Sequence, residues 1–340
     1  MKRLAKKLTL EVAHASGRYL VPPEFLSLIT TWHCNFHCQS CSVWEKTNFQ
    51  ELNLEQWLPI ILDLKTNLPA TTFVEINGGE PLLNKNLVLE LIKELKSSFK
   101  TVALNTNGSL INEEIIKELE VAGLDILKLS FYSLDPTVHN KLRGDERAYD
   151  QAKKTIDLLQ DKSIKLEIGI LLTSQNISGL PELITWLETL PNITIVLQPL
   201  DEKVESSESK NFQTNQLLSN LWPNRNQSEI FFNWLATRNN LKIKNSPHRL
   251  SMIRRYYLEP SSIMDYRCFA GQRNLVVYPN GGVALCFKRG IIGNLSQTTL
   301  NTLLKSQTTK DERRKIQHCQ KYCRIIGCNF SRGLKEIFLK

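Results

Sequence analysis

Strand-like and helix-like segments alternate strictly through residues 26–200. Each apolar, β-branched run is followed by a segment with the periodicity of an amphipathic helix. The strand candidates are FLSLITT, TTFVEIN, TVALNTN, LKLSFYS, LEIGILL and ITIVLQP, and the helix candidates lie near residues 54–65, 84–97, 112–122, 149–161 and 180–190. Strict alternation of this kind predicts an α/β protein with a parallel sheet and right-handed crossovers.

The chain has eight cysteines. Its N-terminus lacks an apolar signal-peptide core followed by a small-residue cleavage site, and no run of about 18 apolar residues occurs, so we expect a cytoplasmic protein. Because the cytosol keeps thiols reduced, the cysteines then indicate metal ligation or redox chemistry and not a disulfide framework.

Three of the cysteines form a compact loop directly after the first strand candidate. Cys34, Cys38 and Cys41 are spaced C-x3-C-x2-C in the run HCNFHCQSC. A four-iron cluster is normally held by four cysteines, so a loop that supplies three leaves one iron open to a second molecule. A structural zinc knuckle is the alternative, with His33 or His37 as its fourth ligand.

A glycine turn follows the second strand candidate, at Gly78, Gly79, Glu80 and Pro81. Two glycines allow backbone to approach a ligand closely and to take positive φ. Pro81 restricts Glu80 to an extended conformation. Alone, such a turn is common, but its position after the cysteine loop makes each signal more informative.

The cysteine loop and the GGEP turn together resemble the radical S-adenosylmethionine (SAM) superfamily. The resemblance implies a partial (β/α)6 barrel, with a [4Fe–4S] cluster at Cys34, Cys38 and Cys41 whose open iron chelates the amino and carboxylate groups of SAM. It also implies that the GGEP turn binds the SAM amino group. In this family a reductant such as flavodoxin or ferredoxin reduces the cluster, and SAM is cleaved to a 5′-deoxyadenosyl radical that abstracts hydrogen from a substrate.

Further SAM contacts are expected where later strands end, since chemistry in parallel barrels gathers at that edge. Family members place ribose and carboxylate contacts at positions similar to Thr106, Asn107, Ser130 and Arg143. Gln198 is the corresponding candidate for the adenosine moiety. For each residue, an ordinary turn role is the alternative.

One position departs from the family pattern. Many relatives carry an aromatic residue just before the third cluster cysteine, where it packs near adenine. Here that position is Ser40. Phe36 or Trp44 is the candidate to compensate, although Phe36 suits the core equally well.

The remaining five cysteines lie near the C-terminus. Cys268 and Cys286 flank RNLVVYPNGGVALC, which reads as a hairpin. The last three follow a charged, helix-like stretch; they are Cys319, Cys323 and Cys328. This order resembles SPASM and twitch extensions, which carry auxiliary iron–sulfur clusters. Five cysteines suffice for one auxiliary [4Fe–4S] cluster, held by Cys268, Cys286 and two of the last three, and a structural zinc site is the alternative.

These observations divide the chain into four parts. We expect a basic N-terminal helix in residues 1–25 and the radical SAM barrel in residues 26–200. A linker with helices then occupies residues 201–260, and the auxiliary-cluster domain occupies residues 261–340.

The formal net charge is +9, and residues 238–258 hold six basic residues and no acid. A solvated basic face is one explanation. The functional explanation is a small or lipid-linked anionic metabolite as substrate, oxidised with the auxiliary cluster as electron acceptor. Modification of a peptide, with a separate recognition protein, is the alternative within the same family.

Two non-catalytic alternatives remain. A metal-stabilised nucleic-acid-binding protein would need aromatic residues among basic ones, which occur only at Arg254, Arg255, Tyr256 and Tyr257, so nucleic acid is not the favoured partner. The N-terminal helix could instead contact a membrane surface, although its apolar face is short.

Overall fold

The computed structural model describes residues 2–46, 50–200, 220–238, 242–321 and 323. The part of the predicted linker in residues 201–219, and Cys328, lie outside the described residues. The strands are β1 Phe25–Ile29, β2 Phe73–Asn77, β3 Thr101–Thr106, β4 Ile126–Ser130, β5 Lys165–Leu172, β6 Ile193–Pro199, β7 Asn274–Val277, β8 Gly282–Ala284 and β9 Gly293–Asn294. The helices are α1 Lys2–Ser16, α2 Leu54–Asn67, α3 Lys85–Lys96, α4 Glu113–Ala122, α5 Pro136–Arg143, α6 Ala148–Leu158, α7 Leu180–Thr189, α8 Arg225–Ala236, α9 Pro247–Leu258, α10 Ala270–Arg273, α11 Leu300–Lys305 and α12 Gln307–Gln317.

The first six strands form a parallel, open sheet in the order β6-β5-β4-β3-β2-β1. Helices cover its outer face, where every second strand residue is buried, as at Val74 and Ile76 of β2. The predicted α/β class and partial (β/α)6 barrel are therefore confirmed. This arrangement brings the segments that follow β1 to β6 to one edge of the sheet.

The inner face of the sheet is polar from β2 to β6. Strand register places Asn105 beside Lys128, and Lys128 beside Glu167, on the same face. Because side chains alternate between faces along a strand, the apolar residues between them point to the helices. The interior of the half-barrel is thus a polar chamber and not a packed apolar core.

The C-terminal hairpin continues the same sheet. β7 pairs parallel with β1, β8 pairs antiparallel with β7, and β9 pairs antiparallel with β8. The cysteine-containing extension predicted from sequence is therefore joined to the barrel by backbone hydrogen bonds.

Helix α5 was not among the helix candidates. It has eight residues, begins at Pro136 and is capped by Asp135, whose side chain accepts a hydrogen bond from the Thr137 amide. Gly144, in the left-handed conformation with φ of 65°, ends it. Its eight residues make only about two turns, which is too short for a repeating pattern to be recognised, but the Asp-Pro start and glycine stop are recognisable helix signals.

Helices α8 and α9 pack against the end of the barrel sheet. The Tyr256 hydroxyl donates to the Leu200 carbonyl at 2.8 Å, and the Tyr257 hydroxyl donates to the Leu172 carbonyl at 2.7 Å. Both rings are buried, at 0% and 4% exposure. They are core residues, so the stacking platform required by the nucleic-acid alternative is absent at these positions.

Helix α1 lies against the C-terminal extension. The His14 ring is 3.1 Å from the Cys268 carbonyl oxygen, and the Gln272 side chain donates to the Ala13 carbonyl at 2.9 Å. Among the described residues, no helix combines the length and apolar character needed to cross a bilayer.

Candidate active site

A cavity of about 280 Å³ opens where strands β2 to β6 end. It gathers most of the predicted site residues: Cys34, Cys38, Cys41, Gly78, Gly79, Thr106, Asn107, Ser130, Arg143 and Gln198. Phe36, Ser40 and Trp44 also line it. Of the candidates for SAM binding, Glu80 and Pro81 do not line the cavity and are buried.

The cysteine loop presents the thiols of Cys34, Cys38 and Cys41 to this cavity. Cys38 is buried, while Cys34 and Cys41 are half-buried, and none forms a disulfide. Burial raises the pKa of Cys34 to about 11, and the neighbouring Cys38, Glu80 and Cys41 act in the same direction. Three ionised thiolates therefore need a positively charged partner here, and an iron–sulfur cluster supplies one.

A single zinc ion fits these residues poorly. His33 and His37, the proposed fourth ligands, are both exposed. Within the described ranges, no three His, Cys, Asp or Glu side chains are placed to hold one metal ion. In a cluster each cysteine binds a different iron, so the thiolates need not converge on one point as the ligands of a tetrahedral ion must.

The GGEP turn is interlocked with the cysteine loop. The Gly79 amide donates to the Thr31 carbonyl and the Glu80 amide donates to the His33 carbonyl, both at 2.8 Å. A Cβ on Gly79 would lie 2.1 Å from the His33 carbonyl oxygen. Neither glycine has positive φ, so that part of the expectation was wrong. Both glycines lie against the chain's own backbone.

Glu80 anchors the turn to the end of β3. Its carboxylate accepts hydrogen bonds from the Leu82 amide at 3.0 Å, the Thr106 hydroxyl at 2.9 Å and the Asn107 amide at 2.7 Å. Burial raises the pKa of Glu80 although these three donors oppose the shift. The side chain fixes Thr106 and Asn107 at the cavity wall and has no surface of its own there.

Arg143 is a buried cation that faces the cavity. Its Nη1 donates to the Tyr132 hydroxyl at 3.2 Å, and its Nε has no hydrogen-bond partner in the described structure. Burial opposes its charge, but the nearby Cys38, Tyr132 and Cys34 outweigh burial and raise the pKa of the guanidinium. An unpaired buried donor on a permanent cation fits an anionic ligand group, such as a carboxylate.

Gly144 was not among the site residues expected from the sequence. A Cβ at this position would lie 2.2 Å from the His37 carbonyl oxygen, and the Gln39 amide donates to the Leu142 carbonyl at 3.1 Å. The end of α5 therefore presses on the cysteine loop. The signal in the sequence was the Arg-Gly helix stop after β4.

An ion-pair network forms the polar wall of the chamber. Lys128 lines the cavity and pairs with Glu75 and, at 3.2 Å, with Glu167. Lys244 pairs with Glu167 at 2.6 Å. Two carboxylates and two ammonium groups balance, so this wall is polar without carrying net charge. Their contact joins three strands and a later segment, and no local sequence pattern indicates it.

An apolar strip lies along β1, β7 and β8, at the other end of the sheet from β6. Ile29, Val276 and Ala284 form its buried part, and Trp32, Tyr278 and Phe287 pack on them. The Trp32 and Tyr278 ring centroids are 5.5 Å apart.

This strip runs between the two cysteine groups. Trp32 precedes Cys34 by two residues, and Phe287 directly follows Cys286. Since β8 is antiparallel to β7, Cys286 lies at the end of the sheet opposite the cysteine loop.

The C-terminal cysteines are mostly buried. Cys268, Cys286 and Cys323 are buried and Cys319 is half-buried, with no disulfide among them. Arg289, paired with Glu312 at 2.6 Å, has a raised pKa caused first by that partner and further by the nearby Cys319 and Cys286. Cys286 and Cys319 thus share one neighbourhood, which fits a common cluster.

Two family models match the sequence. The radical SAM superfamily model matches residues 28–187, and the SPASM model, described as an iron–sulfur cluster-binding domain, matches residues 268–329. The first match contains the cysteine loop, and the second contains all five C-terminal cysteines.

Curated proteins resemble part of this chain in sequence. A probable GTP 3′,8-cyclase of Methanocaldococcus jannaschii is 30% identical over 188 residues, which are 53% of this chain and 61% of that protein. The first curated relatives are matched over 39% to 61% of their length.

Among solved structures, Streptococcus suis SuiB bound to precursor peptide SuiA has a TM-score of 0.66 at 19% identity, covering 91% of this chain and 70% of SuiB. The structure of anSMEcpe with bound AdoMet and Cp18Cys peptide has a TM-score of 0.65 at 18% identity, covering 91% and 89% of the two chains. These structural likenesses establish a shared fold.

Proposed function

The chain belongs to the radical SAM superfamily and carries a SPASM domain, and from this we propose that it abstracts hydrogen from a substrate held inside the half-barrel. The observation that carries the proposal is the single cavity wall shared by the cysteine loop, the GGEP turn and Arg143. S-adenosylmethionine and [4Fe–4S] clusters are the cofactors of such an enzyme, and a reductant is required; flavodoxin or ferredoxin is the proposed donor.

In this proposal, Cys34, Cys38 and Cys41 hold the cluster. When bound and reduced, that cluster supplies one electron to the sulfonium of SAM, which releases a 5′-deoxyadenosyl radical. Arg143 pairs with the SAM carboxylate, because its buried Nε lacks another partner. Gly78 and Gly79 offer backbone groups to the SAM amino group.

The remaining candidates position the nucleoside part of SAM. Thr106, Asn107 and Ser130, which line the cavity, would contact its ribose, and Gln198, which also lines the cavity, would contact the adenosine moiety. Glu80 acts through Thr106 and Asn107 and Pro81 fixes the turn, so both are positioning residues. Phe36 and Trp44 are the aromatic groups available in place of the family's residue at Ser40.

The C-terminal cysteines are proposed to hold one auxiliary [4Fe–4S] cluster. Cys268, Cys286 and two of Cys319, Cys323 and Cys328 are its ligands. The substrate would lose a hydrogen atom to the deoxyadenosyl radical, then one electron to this cluster and one proton to solvent. If both cysteine groups bind clusters, loss of a hydrogen atom followed by loss of one electron and one proton would make the net reaction a two-electron oxidation of the substrate.

A small or lipid-linked anionic metabolite is the first substrate candidate. The apolar strip of Ile29, Val276, Ala284, Trp32, Tyr278 and Phe287 suits an apolar portion, and the polar wall suits a hydrogen-bonding one. The basic residues of segment 238–258 support an anionic substrate only weakly, because Arg238, Lys244 and Arg255 have partners within the chain.

A peptide substrate is the second candidate. It is favoured by the fold shared with SuiB and anSMEcpe, whose structures hold peptides, over 91% of this chain. A peptide would also match a chamber with one apolar wall and one charge-balanced polar wall. A separate recognition protein would then present the peptide.

The test is anaerobic reconstitution of the full chain, followed by measurement of iron, sulfide and 5′-deoxyadenosine formed from SAM with a reductant. Replacing Cys34, Cys38 and Cys41 together by alanine should remove about four irons per chain and abolish SAM cleavage. Cleavage that persisted in that variant would refute the assignment. Deuterium transfer from labelled metabolite or peptide pools into 5′-deoxyadenosine then separates the two substrate classes.

A further inference from the structure

An ion pair joins two cysteine-bearing parts of the C-terminal region. Arg289 lies three residues after Cys286, and its Nε donates to the Glu312 carboxylate at 2.6 Å. Glu312 belongs to α12, and Cys319 follows shortly after that helix ends. The pair therefore connects the turn after β8 to the helix that leads into the last cysteines.

Both partners of this ion pair are held close to a cysteine by backbone hydrogen bonds. The Arg289 amide donates to the Cys286 carbonyl at 3.2 Å, which closes a turn. The Cys319 amide donates to the Ile316 carbonyl at 3.2 Å, and Ile316 lies about one helical turn after Glu312. The pair thus restrains the distance between the segments that carry Cys286 and Cys319.

The same pair places a cation beside these cysteines. The Arg289 and Glu312 side chains are 28% and 10% exposed, so water and salt screen their charges only in part. The pKa of Arg289 is raised, first by its hydrogen bond with Glu312 and further by Cys319 and Cys286, so the guanidinium lies near both thiols. A guanidinium keeps its charge at physiological pH.

Cys286 also accepts a hydrogen bond at its sulfur. The Lys288 amide donates to Cys286 Sγ at 3.4 Å. Net charge and hydrogen bonds to the sulfurs are two of the factors that set the reduction potential of an iron–sulfur cluster. A cluster bound by Cys286 would therefore have both a sulfur hydrogen bond and a nearby cation to favour an added electron.

We propose that the ion pair of Arg289 with Glu312 sets the reduction potential of the auxiliary cluster, with Arg289 as a positioning residue that raises it. The inference rests on the proposed function, in which Cys286 binds that cluster and the cluster is reduced by one electron from the substrate radical. Reduction adds one negative charge to the cluster, and a fixed cation beside Cys286 favours that charge. The Glu312 carboxylate opposes the effect, because it offsets part of the charge of Arg289.

The experiment is a redox titration of the reconstituted full chain, followed by electron paramagnetic resonance. The parent for this titration carries alanine at Cys34, Cys38 and Cys41, so that the auxiliary cluster alone is titrated. Arg289→Met should lower the ratio of reduced to oxidised cluster at a fixed potential by about tenfold, which is a shift of about 59 mV. Glu312→Gln should shift that ratio in the opposite direction, because it leaves the cation of Arg289 without this anion.

Two controls separate charge from structure. Arg289→Lys keeps the charge, and its ratio should stay within about twofold of the parent. Arg238→Met breaks an equally short ion pair, with Glu188 on α7 at 2.6 Å, and should leave the ratio unchanged. Iron content is measured in every variant, and if Arg289→Met alone loses its iron, the direction of the shift in Glu312→Gln decides.

Three outcomes would overturn the inference while leaving the auxiliary cluster in place in the parent. The first is an unchanged titration in Arg289→Met with its iron retained, and the second is a shift of the same sign in Arg289→Met and Glu312→Gln. The third is loss of iron in both variants, which would show that the pair only holds the two segments together. A parent chain without iron would refute the auxiliary cluster of the proposed function, and this inference with it.

Discussion

Replacing Gly79 by alanine should dismantle the cysteine loop, not merely weaken SAM binding. The added Cβ would lie 2.1 Å from the His33 carbonyl oxygen, 2.6 Å from its carbon and 2.8 Å from the Trp32 carbonyl oxygen. These are backbone atoms, so no side-chain rotation relieves the clash. A comfortable contact is about 3.5 Å, so turn and loop must separate by more than about 1 Å.

Separation by that distance breaks two hydrogen bonds, from the Gly79 amide to Thr31 and from the Glu80 amide to His33, both now 2.8 Å. A buried polar group left without its partner costs about 1–3 kcal/mol, so two lost bonds cost about 2–6 kcal/mol. That is a large share of a typical stability of about 5–15 kcal/mol. Because Cys34 follows His33 directly, the iron site should be lost with the contact.

The assay is iron content after anaerobic reconstitution, together with urea unfolding followed by circular dichroism. Gly179→Ala is the matched control, since a Cβ at Gly179 meets nothing within 4 Å and the backbone there is not left-handed. We expect the control to retain its iron. If Gly79→Ala also retained its iron, with an unfolding free energy within about 0.5 kcal/mol of the control, the interlocked turn and loop would not be needed.

Two further changes test the remaining assignments. Arg143→Met should weaken SAM binding, measured by anaerobic calorimetry, by about 10-fold to 150-fold, because a charge-assisted hydrogen bond contributes about 1.5–3 kcal/mol; unchanged affinity would contradict its pairing with the SAM carboxylate. Cys268→Ala combined with Cys286→Ala should leave about four irons per chain of about eight, and should uncouple 5′-deoxyadenosine formation from product. Equal iron in variant and natural chain, with zinc lost, would show that the second site is structural.

The barrel was predictable because its signals are local. β1 to β6 are short apolar runs bounded by polar turns, and each helix between them repeats its apolar residues with the helical period. Helix α5 was not predicted because its eight residues make only about two turns, too few to show a repeating apolar pattern. The continuation of the sheet through β7 was not predicted for another reason. The pairing of β7 with β1 depends on contacts between residues about 250 positions apart.

In the candidate site, too, residues close in sequence were predictable and contacts between distant residues were not. Cys34, Cys38 and Cys41 are neighbours in sequence, so their spacing alone indicated a shared ligand. The contact of Gly144 with His37 and the network of Lys128 with Glu75 and Glu167 join distant strands and loops. Such pairs become visible only when strand register is known, because register decides which side chains share a face.

Because β1 and β7 belong to one sheet, the barrel and the C-terminal region of this protein are difficult to separate. β1 is an interior strand only because β7 covers it, and a chain ending before Asn274 would leave the hydrogen-bonding edge of Phe25–Ile29 open. Open edges invite pairing with other molecules, and Ile29 and Trp32 would lose Val276 and Tyr278 as cover at the same time. Removing the C-terminal region is therefore expected to produce aggregation before it reveals a simpler catalyst, and point substitutions are the cleaner way to dissect the second cysteine group.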